Sequence, residues 1–365
     1  MTRAPSRTIM PIEQIPDWEQ RLARQDAFWQ REIIDRPVVH ITVPKQTPVR
    51  PYPRSRHGCP RDRWMDAEYC AEHALATVMN TEYLGDALPR VSPDLGPDLF
   101  SAFFGCELEF DDETSWSRPN LLEWSAVDQV RFGTENAYWQ TIVEVTELLL
   151  EVGRGSFYTA FPDLHAGADA IAAFRDPMQL NLDLHDNPEA VASLLDYVTR
   201  TYLDVYDFLY QKLTNARQAI STWANQVSAR RWFIPQCDFS CMVSPKMFQD
   251  FFVPDLVREL RHYEVSIYHL DGPGALKHLD TLLEIPELTA IQGVYGAGNG
   301  RCSDWLPVYR RIQEAGKGLE LRHLEMDELD LFMEHLKPEG VWIGMAGVPD
   351  CEAAAAVLRK VDRWR

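Results

Sequence analysis

The stretch Tyr268-His269-Leu270-Asp271-Gly272-Pro273-Gly274 marks the end of a predicted strand and the turn toward a predicted helix. Residues 265–267, directly before it, are apolar and partly β-branched, which predicts a buried strand. His269 and Asp271 are separated by one position, so their side chains leave the strand on the same face. In alternating α/β folds the carboxyl ends of the strands carry the chemistry, so this pair marks the candidate site.

Strand-like and helix-like segments alternate regularly from about residue 136 onward. About eight strand–helix units with short connections favour parallel strands and a barrel over an open sheet. The predicted fold is therefore α/β, a (β/α)8 TIM barrel that forms one domain over residues 1–365. Residues 1–34 are predicted to be an N-terminal helical extension, with a helix over 12–34. Residues 44–125 are predicted to be a long irregular insertion after the first strand.

Charge and cysteine content exclude several classes of partner and environment. Lysine and arginine number 36 against 55 acidic residues, and the net charge of −19 argues against nucleic acid and anionic membranes as partners. The seven cysteines include no CxxC pair, which favours a reducing cytoplasm over a disulfide framework. Neither a GxGxxG nor a GxxxxGK[ST] motif supports nucleotide binding. Without a visible secretory signal or membrane span, we expect a cytoplasmic protein that acts on a small molecule. Its many aromatic residues make a homodimer a candidate assembly.

Polar side chains recur at the predicted carboxyl ends of successive strands. They are His40, Thr42, Asp163, His165, Trp223, Cys237, Asp238, His269, Asp271, Gln292, Tyr295 and His323. In a barrel all of these ends meet at one rim, so their repeated occurrence predicts a shared pocket.

A metal site is the first chemistry that fits these residues. Cys237, His269 and Asp271 offer a thiolate, an imidazole and a carboxylate, which are ligand types of zinc. Three protein ligands leave a fourth position for water or substrate. Zinc is therefore the candidate cofactor.

Two further chemistries remain open. Asp163, His165 and Asp238 are candidate catalytic residues for proton transfer without a metal, because crowded carboxylates raise one another's pKa. Alternatively, the strand-end groups only hold a polar ligand. The candidate substrate-binding residues are His40, Trp223, Arg230, Arg231, Gln292 and Tyr295. Among these, Arg230 and Arg231 offer bidentate hydrogen bonds to a carboxylate or phosphate.

Several segments of the chain are similar to those of a known family. They are Asp35-Arg36-Pro37-Val38, Asp163-Leu164-His165, Cys237-Asp238-Phe239-Ser240, Tyr268-His269-Leu270-Asp271-Gly272-Pro273-Gly274 and Ala290-Ile291-Gln292. Together they resemble the uroporphyrinogen decarboxylase superfamily, in particular its branches of decarboxylase-like proteins and corrinoid-linked methyltransferases. The resemblance implies a (β/α)8 barrel with its site at the carboxyl ends of the strands.

Departures from the family pattern narrow what the resemblance implies. True uroporphyrinogen decarboxylases have paired arginines in an N-terminal segment where this chain has Val38-Val39-His40-Ile41-Thr42, so a different substrate is implied. The zinc-dependent methyltransferases of the superfamily have a His-x-Cys motif and a distant cysteine. Here His269 matches the histidine, Asp271 takes the place of the cysteine, and the position near Val348 has no thiol. The thiolate-rich zinc site of these methyltransferases is therefore incomplete here, and an oxygen-rich metal site stays open as an alternative.

Three functions follow as hypotheses. The first is metal-assisted methyl transfer, or a related group transfer, on a small polar substrate, with a corrinoid protein as a candidate partner. The second is a metal-free decarboxylase or lyase on a carboxylated substrate, in which an acid protonates the carbanion left by loss of CO2. The third is a non-catalytic ligand-binding barrel.

Overall fold

Strands and helices alternate along most of the chain in the computed structural model, which describes residues 7–296 and 298–365. The strands of these ranges are β1 (Val38–Pro44), β2 (Thr81–Gly85), β3 (Arg90–Val91), β4 (Glu107–Phe110), β5 (Ser115–Arg118), β6 (Tyr158–Thr159), β7 (Ile220–Ser221), β8 (Val227–Ser228), β9 (Trp232–Phe233), β10 (Val265–Asp271), β11 (Ala290–Val294), β12 (Gly318–Leu324) and β13 (Val341–Met345). The α-helices are α1 (Trp18–Trp29), α2 (Pro60–Trp64), α3 (Ala67–Met79), α4 (Leu99–Ala102), α5 (Ala137–Val152), α6 (Gly167–Arg175), α7 (Pro177–Asp186), α8 (Pro188–Asn215), α9 (Pro245–Met247), α10 (Val253–Leu260), α11 (Gly272–Ala275), α12 (Leu279–Glu284), α13 (Leu306–Glu314), α14 (Leu329–His335) and α15 (Cys351–Val361).

A seven-stranded sheet lies at the centre of the fold, in the order β2-β1-β13-β12-β11-β10-β9. Its neighbouring strands run parallel except for β2, which lies antiparallel to β1 at the edge. Parallel neighbours need crossover connections, and the intervening helices supply them. The fold is therefore α/β with a mostly parallel sheet, as the alternation of segments predicts.

Short strand segments continue this sheet beyond β9. The indole Nε1 of Trp232 in β9 donates to the carbonyl of Ile220 in β7 over 2.9 Å. The N–H of Phe161, just after β6, donates to the carbonyl of Ser221 over 2.8 Å, and β6 pairs in parallel with β3. Across residues 7–296 and 298–365 no strand pairing joins β3 directly to β1. The architecture is thus TIM-barrel-like, and closure into an eight-stranded barrel stays a prediction.

The first helix is shorter than the sequence predicted. It was expected over residues 12–34, yet α1 begins at Trp18, because Pro16 disfavours helix at the residue before it. The helix ends before Arg31, whose positive φ of 57° leaves the helical region. The residues before α1 instead form a small separate hydrophobic cluster, which includes Ile9, Ile12, Ile15, Leu88 and Tyr158.

The region after β1 is less irregular than the sequence predicted. Residues 44–125 contain α2 to α4 and four strands. Of these strands, β2 joins the seven-stranded sheet beside β1, and β3 pairs with β6 in a separate two-stranded sheet. The strands β2 and β3 have only five and two residues. Because partners distant in sequence stabilise such short strands, a local pattern does not reveal them.

A buried ionic cluster fixes the start of β1. Asp86 is fully buried and accepts hydrogen bonds from Arg36 and Arg24, each over 3.1 Å, and from the N–H of Val39 over 2.9 Å. Arg36 precedes β1, whereas the candidate site lies at the carboxyl ends of the strands. Arg36 therefore serves the fold at the amino end of the sheet.

A continuous hydrophobic core lies between the sheet and the helices. Its largest fully buried side chains include Trp232, Trp342, Tyr202, Tyr206 and Tyr268. None of the helices in the described ranges combines the length and the apolar character needed to cross a bilayer.

Candidate functional site

The register of three parallel strands places a row of polar side chains across the sheet. His269 of β10 lies opposite Gln292 of β11, which lies opposite Glu320 of β12. Residues that are opposite one another on neighbouring strands point to the same face. Both Gln292 and Glu320 are fully buried. The row therefore anchors His269 to the interior of the sheet.

The hydrogen bonds of this row determine which ring nitrogen of His269 is free to bind a ligand. Nδ1 donates to Oε1 of Gln292, and Nε2 of Gln292 donates to Glu320 over 2.7 Å. Burial lowers the pKa of His269, so its ring is neutral at neutral pH. Nδ1 carries the proton in this arrangement, and Nε2 keeps its lone pair for a ligand.

Two carboxylates join His269 at the carboxyl end of β10. One ligand atom each from Asp238, His269 and Asp271 lie within 4.8 Å of one another. Asp271 is the last residue of β10, and Gly272 follows with a φ of 72°, a backbone conformation that lets the chain turn directly into α11. A Cβ at this position would meet no atom within 4 Å, so lack of space does not explain the glycine. The positive φ of the turn is what favours glycine here. One imidazole and two carboxylates form a donor set suited to a divalent cation.

A second group of acids surrounds His165, beside Asp238. Nε2 of His165 lies 3.1 Å from Oδ2 of Asp163, and its Nδ1 lies 3.9 Å from Oδ2 of Asp238. Asp169, in the first turn of α6, accepts the N–H groups of Asp238 and Phe239 over 3.0 and 2.8 Å. Asp169 thereby positions the segment that carries Asp238.

The acids and the histidine alter one another's proton affinity. Burial by itself lowers the pKa of His165, but the carboxylates of Asp163, Asp169 and Asp238 outweigh it and raise that pKa to about 9. Burial, and then the charge of Asp238, raise the pKa of Asp169 to about 6. Burial also raises the pKa of Asp238. The group can therefore hold and exchange protons near neutral pH.

Cys237 does not join the other two predicted metal ligands. Among the described residues, the group that contains His269 and Asp271 includes Asp238 in its place. Cys237 lines a small separate cavity with Glu259 and other residues. Burial, and then the charge of Asp169, raise the pKa of its thiol well above the ordinary value, which keeps the thiol protonated and disfavours metal binding.

Arg230 and Arg231 also lie away from the site. They precede β9, whose first residue Trp232 is paired with Val265 at the start of β10, so they lie at the amino ends of the strands. Arg230 donates to both carboxylate oxygens of Asp26, over 2.6 and 3.2 Å. Arg231 is bonded to Asp207, and its guanidinium lies 4.8 Å from the centre of the Tyr210 ring. Both are engaged in structural contacts.

The other predicted substrate-binding residues differ in how close they come to the acids. The ring of Trp223 meets His269 edge-on, with ring centres 5.1 Å apart. His40 is buried and stacks on Trp342 at 5.4 Å. Gln292 belongs to the row behind His269. Tyr295 directly follows β11 and is half-buried, and burial raises the pKa of its hydroxyl.

A cavity of about 460 Å³ opens beside the acids. Its wall includes Asp163, which is hydrogen-bonded to His165, and Trp223, whose ring contacts His269. Its other polar lining residues include Arg90 at the start of β3 and Asp94 after it. The volume is in the range of sites for small molecules.

Sequence analysis did not single out four residues at this site: Asp169, Glu320, Arg90 and Arg322. Glu320 and Arg322 lie two positions apart in a predicted strand, and this alternation was an available signal. Asp169 lies in a helix and Arg90 in the region expected to be irregular, where no local pattern indicates the site.

Comparisons with known proteins bear on the fold of this chain. None of the family models matches the chain, and no curated protein matches it. A methyltransferase from Methanosarcina mazei has a TM-score of 0.59 and 13% identity, with 94% of this chain and 98% of that chain covered. A GH26 beta-mannanase from Bacteroides ovatus has a TM-score of 0.33 and 10% identity over 94% and 93% of the two chains, and this match carries no argument. At 13% identity, the likeness to the methyltransferase shows the fold alone.

Proposed function

We propose that the protein is a group-transfer enzyme that moves a methyl or related group to or from a small polar substrate held against Asp238, His269 and Asp271. The observation that carries the proposal is the convergence of their three ligand atoms within 4.8 Å of one another. The structural neighbour from M. mazei is a methyltransferase, which supports the choice of reaction type.

The donor set fits a divalent cation, and zinc is the ion we favour. His269 would offer Nε2, because Gln292 engages Nδ1, and Asp238 and Asp271 would each offer one oxygen. A zinc ion held by these ligands would supply Lewis acidity that activates an oxygen or sulfur atom of the substrate at neutral pH. Three protein ligands leave room for that atom.

The surrounding residues would manage the proton that group transfer releases. The lone pair of an O–H or S–H acceptor forms the new bond to the methyl carbon, and the bond from that carbon to the donor breaks with its electron pair on the donor. The acceptor proton must then go to a base. The carboxylates of Asp163 and Asp169 flank His165 beside Asp238, where they are positioned to take up that proton, whereas His165, with its pKa raised to about 9, already carries a proton at neutral pH.

A metal-free decarboxylase is the second candidate, and the acid form of Asp169 favours it. Loss of CO2 breaks a carbon–carbon bond and leaves the electron pair on carbon, which an acid must protonate. Since burial raises the pKa of Asp169 to about 6, this group retains part of its acid form near neutral pH.

Metal analysis distinguishes the two candidates. We expect the full chain, purified without chelator, to hold about one zinc ion per chain, and Asp238→Asn, His269→Ala and Asp271→Asn to lose it. Asp250→Asn is the matched control, because Asp250 is an exposed acid paired with Lys246. Zinc content that is equal in all four variants, or absent from the wild type after zinc is added, would contradict the metal-assisted proposal.

An activity assay tests the reaction type. Transfer of the methyl group of methylcobalamin to a small thiol, dependent on His269, would support methyl transfer.

A further inference from the structure

Two arginines beside the cavity form no ion pair with a carboxylate of the described residues. Arg90 donates to the carbonyl of Trp223 over 2.6 Å and to Oδ1 of Asn225 over 2.8 Å, both neutral acceptors. Arg322 has a buried Nη1 atom without any hydrogen-bond partner. By contrast, the buried Arg175 donates to the buried carboxylate of Asp183 over 2.7 Å. A buried guanidinium that lacks an acceptor is costly unless something else supplies one.

Trp223 connects these arginines to the acids. The guanidinium of Arg322 lies 5.1 Å from the centre of the Trp223 ring, and the same ring meets His269 edge-on at 5.1 Å. Nε1 of Trp223 is also buried and has no hydrogen-bond partner within residues 7–296 and 298–365. Two buried donors, Nη1 of Arg322 and Nε1 of Trp223, are therefore left unsatisfied. The Trp223 ring that carries one of them contacts His269 at the proposed reaction site.

The backbone of β12 determines where Arg322 points. The pairing between β12 and β13 shifts between Leu321 and Leu324, which indicates a bulge. Within it, His323 takes a φ of 59°, a left-handed conformation that is uncommon for a residue other than glycine. Bulges of this kind re-aim single side chains next to functional sites.

The acids near the two arginines form no ion pair with them among the described residues, although the charge of Asp94 acts on Arg90 and the charge of Arg322 acts on the buried Glu320. Asp163 is bonded to His165, and Asp94 is exposed and accepts the N–H of Gly96 over 2.7 Å. Burial, and then the repulsion of the Arg322 charge, lower the pKa of Arg90 to about 10. An anion between them would remove that repulsion.

We infer that Arg90, Arg322 and Trp223 form a subsite for a carboxylate group of the substrate. The unsatisfied donors of Arg322 and Trp223 are available to carboxylate oxygens, and the flat ring of Trp223 offers a surface for the carbon chain. A doubly charged phosphate fits less well, because Asp94 and Asp163 line the same cavity. The subsite names the substrate class as small carboxylic acids, and it rests on the proposed function because it assumes that the reaction takes place at the neighbouring acids.

Binding of small carboxylates to the full-length protein tests the inference. The probes are acetate, propionate, succinate, glutarate and benzoate, each compared with its neutral amide and with inorganic phosphate and sulfate, by calorimetry and by thermal melting. We expect at least one carboxylate to bind at least tenfold more tightly than its amide, and Arg90→Gln and Arg322→Gln each to weaken it about 10- to 100-fold. Arg311→Gln is the control, because Arg311 is exposed and paired with Asp280.

The outcomes separate this inference from the proposed function. Equal affinity for carboxylates and amides in the wild type would overturn the inference, and that comparison needs no variant to fold. Arginine variants that are folded and bind as the wild type does, or stronger binding of phosphate and sulfate than of every carboxylate, would overturn it as well. Zinc content is measured in the same samples. Lost carboxylate selectivity with intact zinc binding rejects only the subsite, whereas missing zinc with intact carboxylate binding rejects only the metal-assisted reaction.

Discussion

Replacement of Gln292 by leucine tests whether the row behind His269 controls metal binding. Gln292 is fully buried and joins Nδ1 of His269 to the carboxylate of Glu320. Leucine is of similar size, so Gln292→Leu removes both hydrogen bonds and leaves little cavity. Nδ1 of His269 then loses its acceptor, and Glu320 loses its donor.

The contacts of Gln292 set the expected losses of stability and of metal affinity. Each buried polar group left without a partner costs about 1–3 kcal/mol, so the free energy of unfolding should fall by about 2–6 kcal/mol in the absence of metal. The loss of the group that orients a histidine ligand weakens metal affinity about 10- to 100-fold, because the ring is no longer held in the required tautomer and orientation.

Two measurements check these values. Urea denaturation of the metal-free protein gives the free energy of unfolding, and competition with a chelator gives the zinc dissociation constant. Glu320→Gln is the informative companion, because the glutamine carbonyl still accepts from Gln292 and should leave the tautomer of His269 unchanged. If the zinc affinity of Gln292→Leu is within twofold of the wild type, and its unfolding free energy within about 0.5 kcal/mol, Gln292 does not control metal binding by His269.

Two other predictions concern buried charges outside the site. Asp86→Asn removes the fully buried counter-charge of Arg24 and Arg36, which keep only the more exposed Asp35 and Asp362, and should lower the free energy of unfolding by about 3 kcal/mol in urea; a loss below about 1 kcal/mol would contradict it. Burial, and then Asp255, raise the pKa of Glu259 from 4.5 to about 8, so between these values the folded protein keeps a proton that the unfolded chain releases. The free energy of unfolding of the wild type, minus that of Glu259→Gln, should therefore fall as pH rises through that window. If this difference stays constant or rises in denaturation at several pH values, the pKa of Glu259 is not raised.

Local periodicity determined the parts of the fold that depend on neighbouring residues. The apolar run before His269 and the following Gly272-Pro273-Gly274 gave strand β10 and the start of the next helix, because side-chain alternation and turn chemistry act over a few positions. The same alternation placed His269 and Asp271 on one face, and the structure brings both to the same group. The repeated order of strand and helix also predicted the parallel sheet.

Only the tertiary structure decided which residues from separate strands meet. Strand register made Gln292 a support for His269, and the segment after β9 brought Asp238 to the metal group while Cys237 turned toward another cavity. Ion pairing engaged Arg230 with Asp26, whereas Nη1 of Arg322 has no partner among the residues that the structure describes. Sequence pattern shows where a side chain leaves its own backbone, but contacts between distant segments depend on register, bulges and competition among partners, and these exist only once the chain has folded.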